Sequence, residues 1–509
     1  MIICKKCNSE IKEGVAFCGV CGSPVKKDSN ETKRLKEQFP FFSIVCILYS
    51  VFYVLCLYKN LSSVAFLVFT LGTIGLYFLF LKKMNMKIKK FSYIYYLFMV
   101  LIGISMFLTD DLFIITFNYL GFIILMIVSM ITNFYSDKNW DVGKYIGSFF
   151  KVGFGTIGNI YRPFSDFGEY RNQRDKHASK KTMAVISGLL ISVPVLVIII
   201  ALLASADAVF GKIFIDMFKD ADWVEDPIKI VILFLVVFLL TYGLFAKMSK
   251  KDISENGNDL RKRDPIQAIT ITGLLSIVYV IFSAIQIIYL FMGKMSLPEG
   301  YTYAKYAREG FFQLLFVCLI NLLIVLLITT FFRKSWMLKI ILTLFSLCTY
   351  VMLASSAFRM ILYIKTYDLT KLRVLVLWAL LVMAILLIGL IARIYRFGFP
   401  LFRYGIIIIS VLYIGLAFSR PDSYIAKYNL NSAKEFDAIY LANLSDDAAP
   451  AIGEFYEKSI TEKNYSEYIF LGISDYFSDS ENRSDYKNGI RSFNFSRYEY
   501  QRIKGKSGF

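Results

Sequence analysis

Eleven long apolar runs constrain this chain more than any other feature of its sequence. Each run has 16 to 26 residues, and none carries a charged side chain beyond its first turn. Such a run crosses a bilayer as a helix, because a helix satisfies its backbone hydrogen bonds internally. With 57% hydrophobic and only 19% charged residues, the composition excludes a soluble enzyme. The sequence therefore predicts an all-α polytopic integral membrane protein, with spans at 40–58, 62–81, 91–108, 112–132, 183–203, 228–246, 266–291, 311–332, 336–358, 374–392 and 404–419.

The formal net charge of +18 is distributed unevenly between the two sides of these spans. The N-terminal segment and alternate connections hold 34 Lys and Arg against 14 Asp and Glu, whereas the other connections hold 11 of each kind. This positive-inside pattern predicts a multi-pass protein of the plasma membrane with a cytoplasmic N-terminus. Because the number of spans is odd, the C-terminus is predicted to be extracytoplasmic. The basic excess then indicates contact with anionic membrane lipids, and no nucleic-acid partner is expected.

Four cysteines near the N-terminus form the one strong motif. Cys4 and Cys7 make a first CxxC pair, and Cys18 and Cys21 make a second pair ten residues later. Four thiolates at this spacing suit tetrahedral zinc, and a site filled by four protein ligands is structural. The alternative is a set of reversible disulfides or of thiols without metal. We therefore predict a zinc ribbon over 1–25 that offers a surface to a protein partner.

The rest of the chain divides into three parts. A charged linker is predicted over 26–38, a transmembrane helical bundle over 39–419, and an extracytoplasmic, mainly helical domain over 420–509, called the tail below. Within the bundle, the connections 144–161 and 208–219 place apolar residues at helical spacing opposite charged ones. Both are predicted to be amphipathic helices that lie in the headgroup region.

Charged side chains collect at the predicted outer ends of the spans. Arg308 and Glu309 directly precede one span, and Arg359 directly follows the next on the same side. Arginines there can clamp the phosphate of a lipid-linked substrate, and paired carboxylates can serve acid–base chemistry or hold a metal. The alternative is a set of headgroup contacts and surface ion pairs. The predicted network comprises Asp207, Arg308, Glu309, Arg359, Arg373 and Asp422, and no catalytic residue is assigned.

Several stretches are similar to a known family. They include Ser205–Phe210, Tyr306–Phe312, Arg359–Tyr363, Arg420–Asp422 and Ser492–Tyr498. Together they resemble a bacterial family of multi-pass membrane proteins known only as a domain of unknown function, over roughly 180–500. The cysteine pairs separately resemble the short zinc ribbon that precedes many bacterial membrane proteins, although Asn8 departs from the CxxCG pattern. The resemblance implies characteristic positions on the outer face but supplies no activity.

These observations leave three functional hypotheses. The leading one is a non-enzymatic sensor, scaffold or envelope regulator with structural zinc. The second is a transporter or flippase of a lipid or small solute, which the lack of ionisable residues deep in the predicted spans disfavours for charge-coupled transport. The third is a membrane enzyme that acts on a lipid-linked substrate through the outer carboxylates. The sequence assigns no small-molecule ligand.

Overall fold

The computed structural model describes most of the chain as helix. The described residues are 2–3, 9–11, 19–21, 29–138, 140–174, 225–255, 259–288, 303–396, 398–432, 437–462, 467–478 and 489–507. Two short strands, β1 (Ile2–Ile3) and β2 (Glu10–Ile11), pair antiparallel with Ile2 opposite Ile11. This hairpin brackets Cys4 and Cys7 in the sequence, although both cysteines lie outside the described residues.

Eighteen helices follow within the described ranges. In chain order they are α1 (Asn30–Glu37), α2 (Phe39–Leu57), α3 (Val64–Lys83), α4 (Ser92–Leu108), α5 (Leu112–Phe134), α6 (Val142–Ile157), α7 (Arg162–Arg174), α8 (Glu225–Ser249), α9 (Pro265–Gln286), α10 (Tyr303–Phe331), α11 (Trp336–Tyr367), α12 (Lys371–Tyr395), α13 (Leu401–Phe418), α14 (Pro421–Ser432), α15 (Ala438–Ala442), α16 (Ala449–Glu462), α17 (Glu467–Ser478) and α18 (Phe495–Ser507). Short 3₁₀ turns cover Asp446–Ala448 and Ile490–Ser492.

The predicted multi-pass architecture is confirmed. Among the described residues, nine helices are long and apolar enough to cross a membrane, and α4 is a shorter apolar helix of the same kind. These ten coincide with ten of the eleven predicted spans. The remaining span, 183–203, and the amphipathic segment 208–219 lie outside the described residues. The other predicted amphipathic segment, 144–161, corresponds to α6, which begins at Val142 and ends at Ile157.

Helix α11 extends further than its apolar run suggests. The predicted span ended at 358, but the helix continues for nine residues to Tyr367 and encloses Arg359. Met360 and Ile364 keep the buried face of the helix intact beyond that point. Arg359, which directly follows the predicted span, is therefore part of the helix and is only 7% exposed.

A short helix lies in the segment predicted as a charged linker. Ser29 caps α1 by accepting a hydrogen bond from the Thr32 amide, and Leu35 is fully buried. The Thr32 hydroxyl donates to the carbonyl of Ser249 at the end of α8 (3.0 Å). These contacts attach residues 29–38 to the bundle.

The helices bury two apolar cores. The first is built by α1–α8 with the end of α13, and the second by α9–α12 with the tail helices. Val374 of α12 packs against both cores. We call these two groups of helices the first half and the second half; α12 and α13 lie along their junction.

The connections between helices collect at two opposite ends of the bundle. At the tail end, the Asn494 side chain donates to the carbonyls of Ser62 (3.1 Å) and Thr109 (2.9 Å). The opposite end carries the connections predicted to be basic, and we call it the basic end. There the Lys89 amide donates to the Asn133 side chain (2.9 Å), and Arg403 pairs with Asp137 (2.6 Å). Within the described ranges, the tail thus packs on the loops of one end.

Candidate functional site

Three buried aspartates and two cations connect the tail to the helix ends. Asp111, Asp422 and Asp447 are each at most 1% exposed. Lys371 and Arg420 supply the cations. We call these five residues the carboxylate joint.

Local structure places the residues of the joint at the ends of helices. Asp111 caps α5, accepting a hydrogen bond from the Phe113 amide at 2.8 Å, as expected for Asp at an N-cap. Lys371 is the first residue of α12, and Asp422 lies in the first turn of α14. Arg420 has a φ of +49° and makes the tight turn between α13 and α14.

One lysine serves two of the carboxylates. The Lys371 ammonium lies 3.0 Å from Asp111 Oδ2 and 3.0 Å from Asp422 Oδ2, and its side chain is 32% exposed. The Ser445 amide also donates to Asp422 Oδ2 (3.0 Å). Burial raises the pKa of Asp111, the neighbouring Asp422 charge raises it further, and Lys371 opposes both effects. The joint therefore concentrates two like charges around one cation from a different part of the chain.

The third carboxylate joins the tail to the α4–α5 loop. The Thr109 hydroxyl donates to Asp447 Oδ2 (2.5 Å), and Arg420 Nε lies 3.3 Å from Asp447 Oδ1. Arg420 Nη1 also reaches Glu499 of α18 (2.7 Å). Burial raises the pKa of Asp447 to about 6, with an added contribution from the Asp422 charge, while Ser496, Thr109 and Arg420 oppose the rise. Asp447 can therefore change charge within a mildly acidic range.

Asp422 of the joint and the adjacent Ser445 each have a buried polar atom without a hydrogen-bond partner among the described residues. Asp422 Oδ1 and the Ser445 hydroxyl are buried, and neither makes a hydrogen bond there. Orphaned polar groups of this kind cost free energy, so they mark a site that is not built for stability alone. The described part of the chain contains no group of three or more His, Cys, Asp or Glu side chains that could hold a metal ion.

The three described members of the predicted outer network have separate partners. Asp422 belongs to the joint. The Arg373 guanidinium lies 4.4 Å from the Tyr363 ring centroid, donates to the carbonyls of Tyr367 and Asp368, and lines a cavity of about 270 Å³. Asp207 lies outside the described residues, and so do the side chains of Arg308 and Glu309.

Arg359 lies inside the bundle rather than at its surface. Its Nη2 donates to the Gln286 side-chain oxygen of α9 (3.3 Å). The Ser355 hydroxyl donates to the same oxygen (2.6 Å). A buried arginine needs such polar partners, because burying an uncompensated charge is costly.

Sequence reasoning did not select four of the five residues of the joint. Lys371, Arg420 and Asp447 lie in stretches that resemble the family, but the resemblance did not single them out. Asp111 lies in a short loop between two predicted spans and had no signal of its own. No local pattern can find these residues, because each has its partners on distant segments.

The predicted zinc centre lies mostly beyond the described residues. Cys4, Cys7 and Cys18 fall outside them, and Cys21 lies in a short turn. The antiparallel register of β1 and β2 places the first cysteine pair, in sequence, within the connection of a hairpin. Zinc binding by these four cysteines remains a prediction.

Comparison with known proteins places the chain in a family. A family model described as a domain of unknown function (DUF4153) matches residues 96–455. That range includes all five residues of the carboxylate joint. No curated protein and no solved structure shows significant similarity to the chain. This multi-pass helical protein therefore belongs to the DUF4153 family, a domain of unknown function.

Proposed function

We propose that this chain is a non-enzymatic sensor of the bacterial plasma membrane, in which the external tail controls the arrangement of the cytoplasmic helix ends. One observation carries the proposal. Helices α12 and α13 each lie between a cation of the carboxylate joint and a cation at the basic end. In α12, Lys371 is the first residue and Arg393 lies in the last turn. In α13, Arg403 lies in the first turn, and Arg420 follows the end of the helix.

The two helices are connected to each other as well as to the joint. The Trp378 indole donates to the carbonyl of Leu412 (3.0 Å), and the Tyr404 hydroxyl donates to the carbonyl of Ile385 (2.6 Å). At about 1.5 Å per residue, the 25 residues of α12 span about 37 Å. Packed helices of this length shift as units, so a change in charge at one end can alter the other end. This supports a sensor rather than a passive anchor.

The burial of the carboxylates supports a non-enzymatic role. A general acid or base must reach the reacting group of its substrate within hydrogen-bonding distance. In the joint, Asp111, Asp422 and Asp447 are instead directed at protein cations and hydroxyls, and the tail covers them. The geometry therefore favours a charge-controlled contact between the tail and the helices.

Orientation and the N-terminal segment complete the proposal. The segregation of basic connections supports a cytoplasmic basic end and an extracytoplasmic tail. We assign Cys4, Cys7, Cys18 and Cys21 as the ligands of a cytoplasmic zinc ribbon, which precedes α1 in the sequence and offers a surface to a protein partner. The hairpin of β1 and β2 supports this assignment.

Hydrogen exchange in lipid nanodiscs tests the sensor function. Lys371→Met removes the cation between Asp111 and Asp422, and Lys458→Met removes a surface pair that is 68% and 60% exposed. We expect Lys371→Met to change amide exchange at 398–403 and 137–145 of the basic end, and Lys458→Met to leave both segments unchanged. If exchange changes only in the tail and in the loops beneath it, the protein is a scaffold and the sensor proposal is wrong.

A further inference from the structure

A cavity opens at the basic end, where the two halves of the bundle meet. Its volume is about 440 Å³, and its walls come from the α5–α6 loop, residues 259–261 and the ends of α10, α12 and α13. Four cationic side chains line it: Lys138, Arg261, Arg393 and Arg403. We call this cavity the basic pocket.

The acidic side chains of the basic pocket are already bound within the protein. Asp137 pairs with Arg403 (2.6 Å), and Asp259 pairs with Arg261 (2.9 Å). Asp141 caps α6 by accepting a hydrogen bond from the Lys144 amide (2.9 Å). With four cations against three carboxylates, the lining has a net charge of +1. The surplus positive charge makes the pocket a site for an anion.

Arg393 is the cation best placed to bind that anion. Its Nη2 donates to the Thr330 hydroxyl (3.2 Å). Among the residues that the structure describes, no carboxylate lies within 4.0 Å of it. A guanidinium has five N–H donors in a planar fork that matches the oxygens of a phosphate. Most of these donors remain available to a ligand in the pocket.

An apolar groove adjoins the basic pocket. It has a volume of about 480 Å³, and it shares Asp141, Leu260 and Thr330 with the pocket. Five apolar side chains from α6 and α10 line it: Val142, Ile146, Leu326, Leu327 and Phe331. Leu327 and Ile146 are each about half exposed. The groove therefore continues from the charged cavity along the apolar surface of two helices.

We propose that the basic pocket binds the phosphodiester headgroup of an anionic phospholipid and that the apolar groove holds an acyl chain of the same molecule. Because the two cavities share three lining residues, one lipid molecule can place its headgroup in the basic pocket and an acyl chain in the groove. A soluble phosphate would leave the groove empty, and a zwitterionic lipid would bring its own cation next to the arginines. Basic pockets between helix ends on the cytoplasmic side suit anionic headgroups in this way.

Lipid retention by the purified full-length protein tests this inference. The protein in neutral detergent is titrated with phosphatidylglycerol, phosphatidylcholine or soluble glycerol 3-phosphate, and bound lipid is counted by native mass spectrometry. We expect saturable binding of one phosphatidylglycerol, at least tenfold weaker binding of phosphatidylcholine, and no competition from an equal concentration of glycerol 3-phosphate. Equal retention of the two lipids would overturn the proposal, and effective competition by glycerol 3-phosphate would identify a site for free phosphate esters instead.

A pair of matched variants locates the site. Arg393→Gln removes the pocket cation, whereas Arg396→Gln removes an exposed arginine that follows α12 and does not line the pocket. We expect about tenfold weaker phosphatidylglycerol binding in Arg393→Gln, as for the loss of one charge-assisted contact, and unchanged binding in Arg396→Gln. Arg393→Lys retains the charge and should recover part of the affinity, which shows that the Gln variant is not simply misfolded. Unchanged binding in Arg393→Gln would place the lipid elsewhere.

Discussion

The guanidinium of Arg359 occupies the space that a side chain on Gly310 would need. A β-carbon built at Gly310 meets Arg359 Nη1 first, ahead of any other atom. Arg359 cannot easily move away, because it is buried and hydrogen-bonded to Gln286. The absence of a side chain at 310 thus allows α9, α10 and α11 to meet around one buried arginine.

Gly310→Ala should destabilise the bundle through this contact. Forcing a methyl group into a filled space costs about 1–3 kcal/mol. We expect the cost to shrink in an Arg359→Met background, because the shorter neutral side chain vacates the space. Gly273→Ala on α9 is the matched control, since a β-carbon there meets no atom within 4 Å. Thermal unfolding in detergent compares these four variants with the unsubstituted protein, and equal costs of Gly310→Ala in both backgrounds would contradict the contact.

Removing Lys371 should destabilise the protein, because Asp111 and Asp422 share this cation. Lys371→Met leaves Asp111 and Asp422 buried as like charges. Removing one partner of a buried pair costs about 3–5 kcal/mol, and the partial exposure of Lys371 places the expected loss near or below the lower limit. Asp422→Asn should recover part of the lost stability in the Lys371→Met background. Denaturant titration measures the free energies of unfolding; simple additivity of the two substitutions would show that these residues do not interact.

The stability of the tail should depend on the protonation of Asp447. The pKa of its carboxyl rises from an ordinary 3.8 to about 6 in the folded protein, so the folded state binds this proton more tightly than the unfolded state. The resulting contribution favours folding below pH 4 and is lost as the pH rises from about 4 to 6. The groups that face Asp447 are Thr109, Arg420, Ser496 and Asp422, and Arg420 also pairs with Glu499.

Asp447→Asn isolates this contribution. We expect the substitution to flatten the pH dependence of amide exchange in 438–460 between pH 4 and 6.5. Glu454→Gln, which removes an exposed partner of Lys458, should leave the pH dependence as in the unsubstituted protein. An identical profile in Asp447→Asn would assign the titration to another group.

The N-terminal segment should bind one zinc ion per chain. Metal binding supplies most of the folding free energy of so small a unit. Cys7→Ser should therefore release the zinc while the helix bundle keeps its thermal stability. Metal analysis of the purified protein measures the first effect and detergent unfolding the second. A full zinc content in Cys7→Ser would refute the predicted ligand set.

The charge distribution predicts which side of the membrane each end faces. A cysteine at Asn256 should react with a membrane-impermeant thiol reagent only after cell lysis, whereas a cysteine at Asn482 should react in whole cells. The physical reason is the retention of positively charged connections on the cytoplasmic side. Labelling of Asn256→Cys in intact cells would reverse the orientation.

Much of the architecture was accessible from the sequence because it depends on local properties. Ten of the predicted spans are helices, including 404–419, the shortest of them. Hydropathy identifies such segments since the bilayer acts on each contiguous run separately. Hydropathy does not locate the end of a helix that continues past its apolar run. At Arg359 the helix continues, because the buried face extends through Met360 and Ile364 beyond the first charge.

The sequence by itself determined the helical membrane class, the two-sided charge distribution and the resemblance to a family, since each follows from residues that are neighbours in the chain. Only the tertiary structure decided that Lys371 lies between Asp111 and Asp422, and that Arg393 and Arg403 line one cavity. The effect of a charge depends on its burial and on its partners, and distant segments supply both when they pack together.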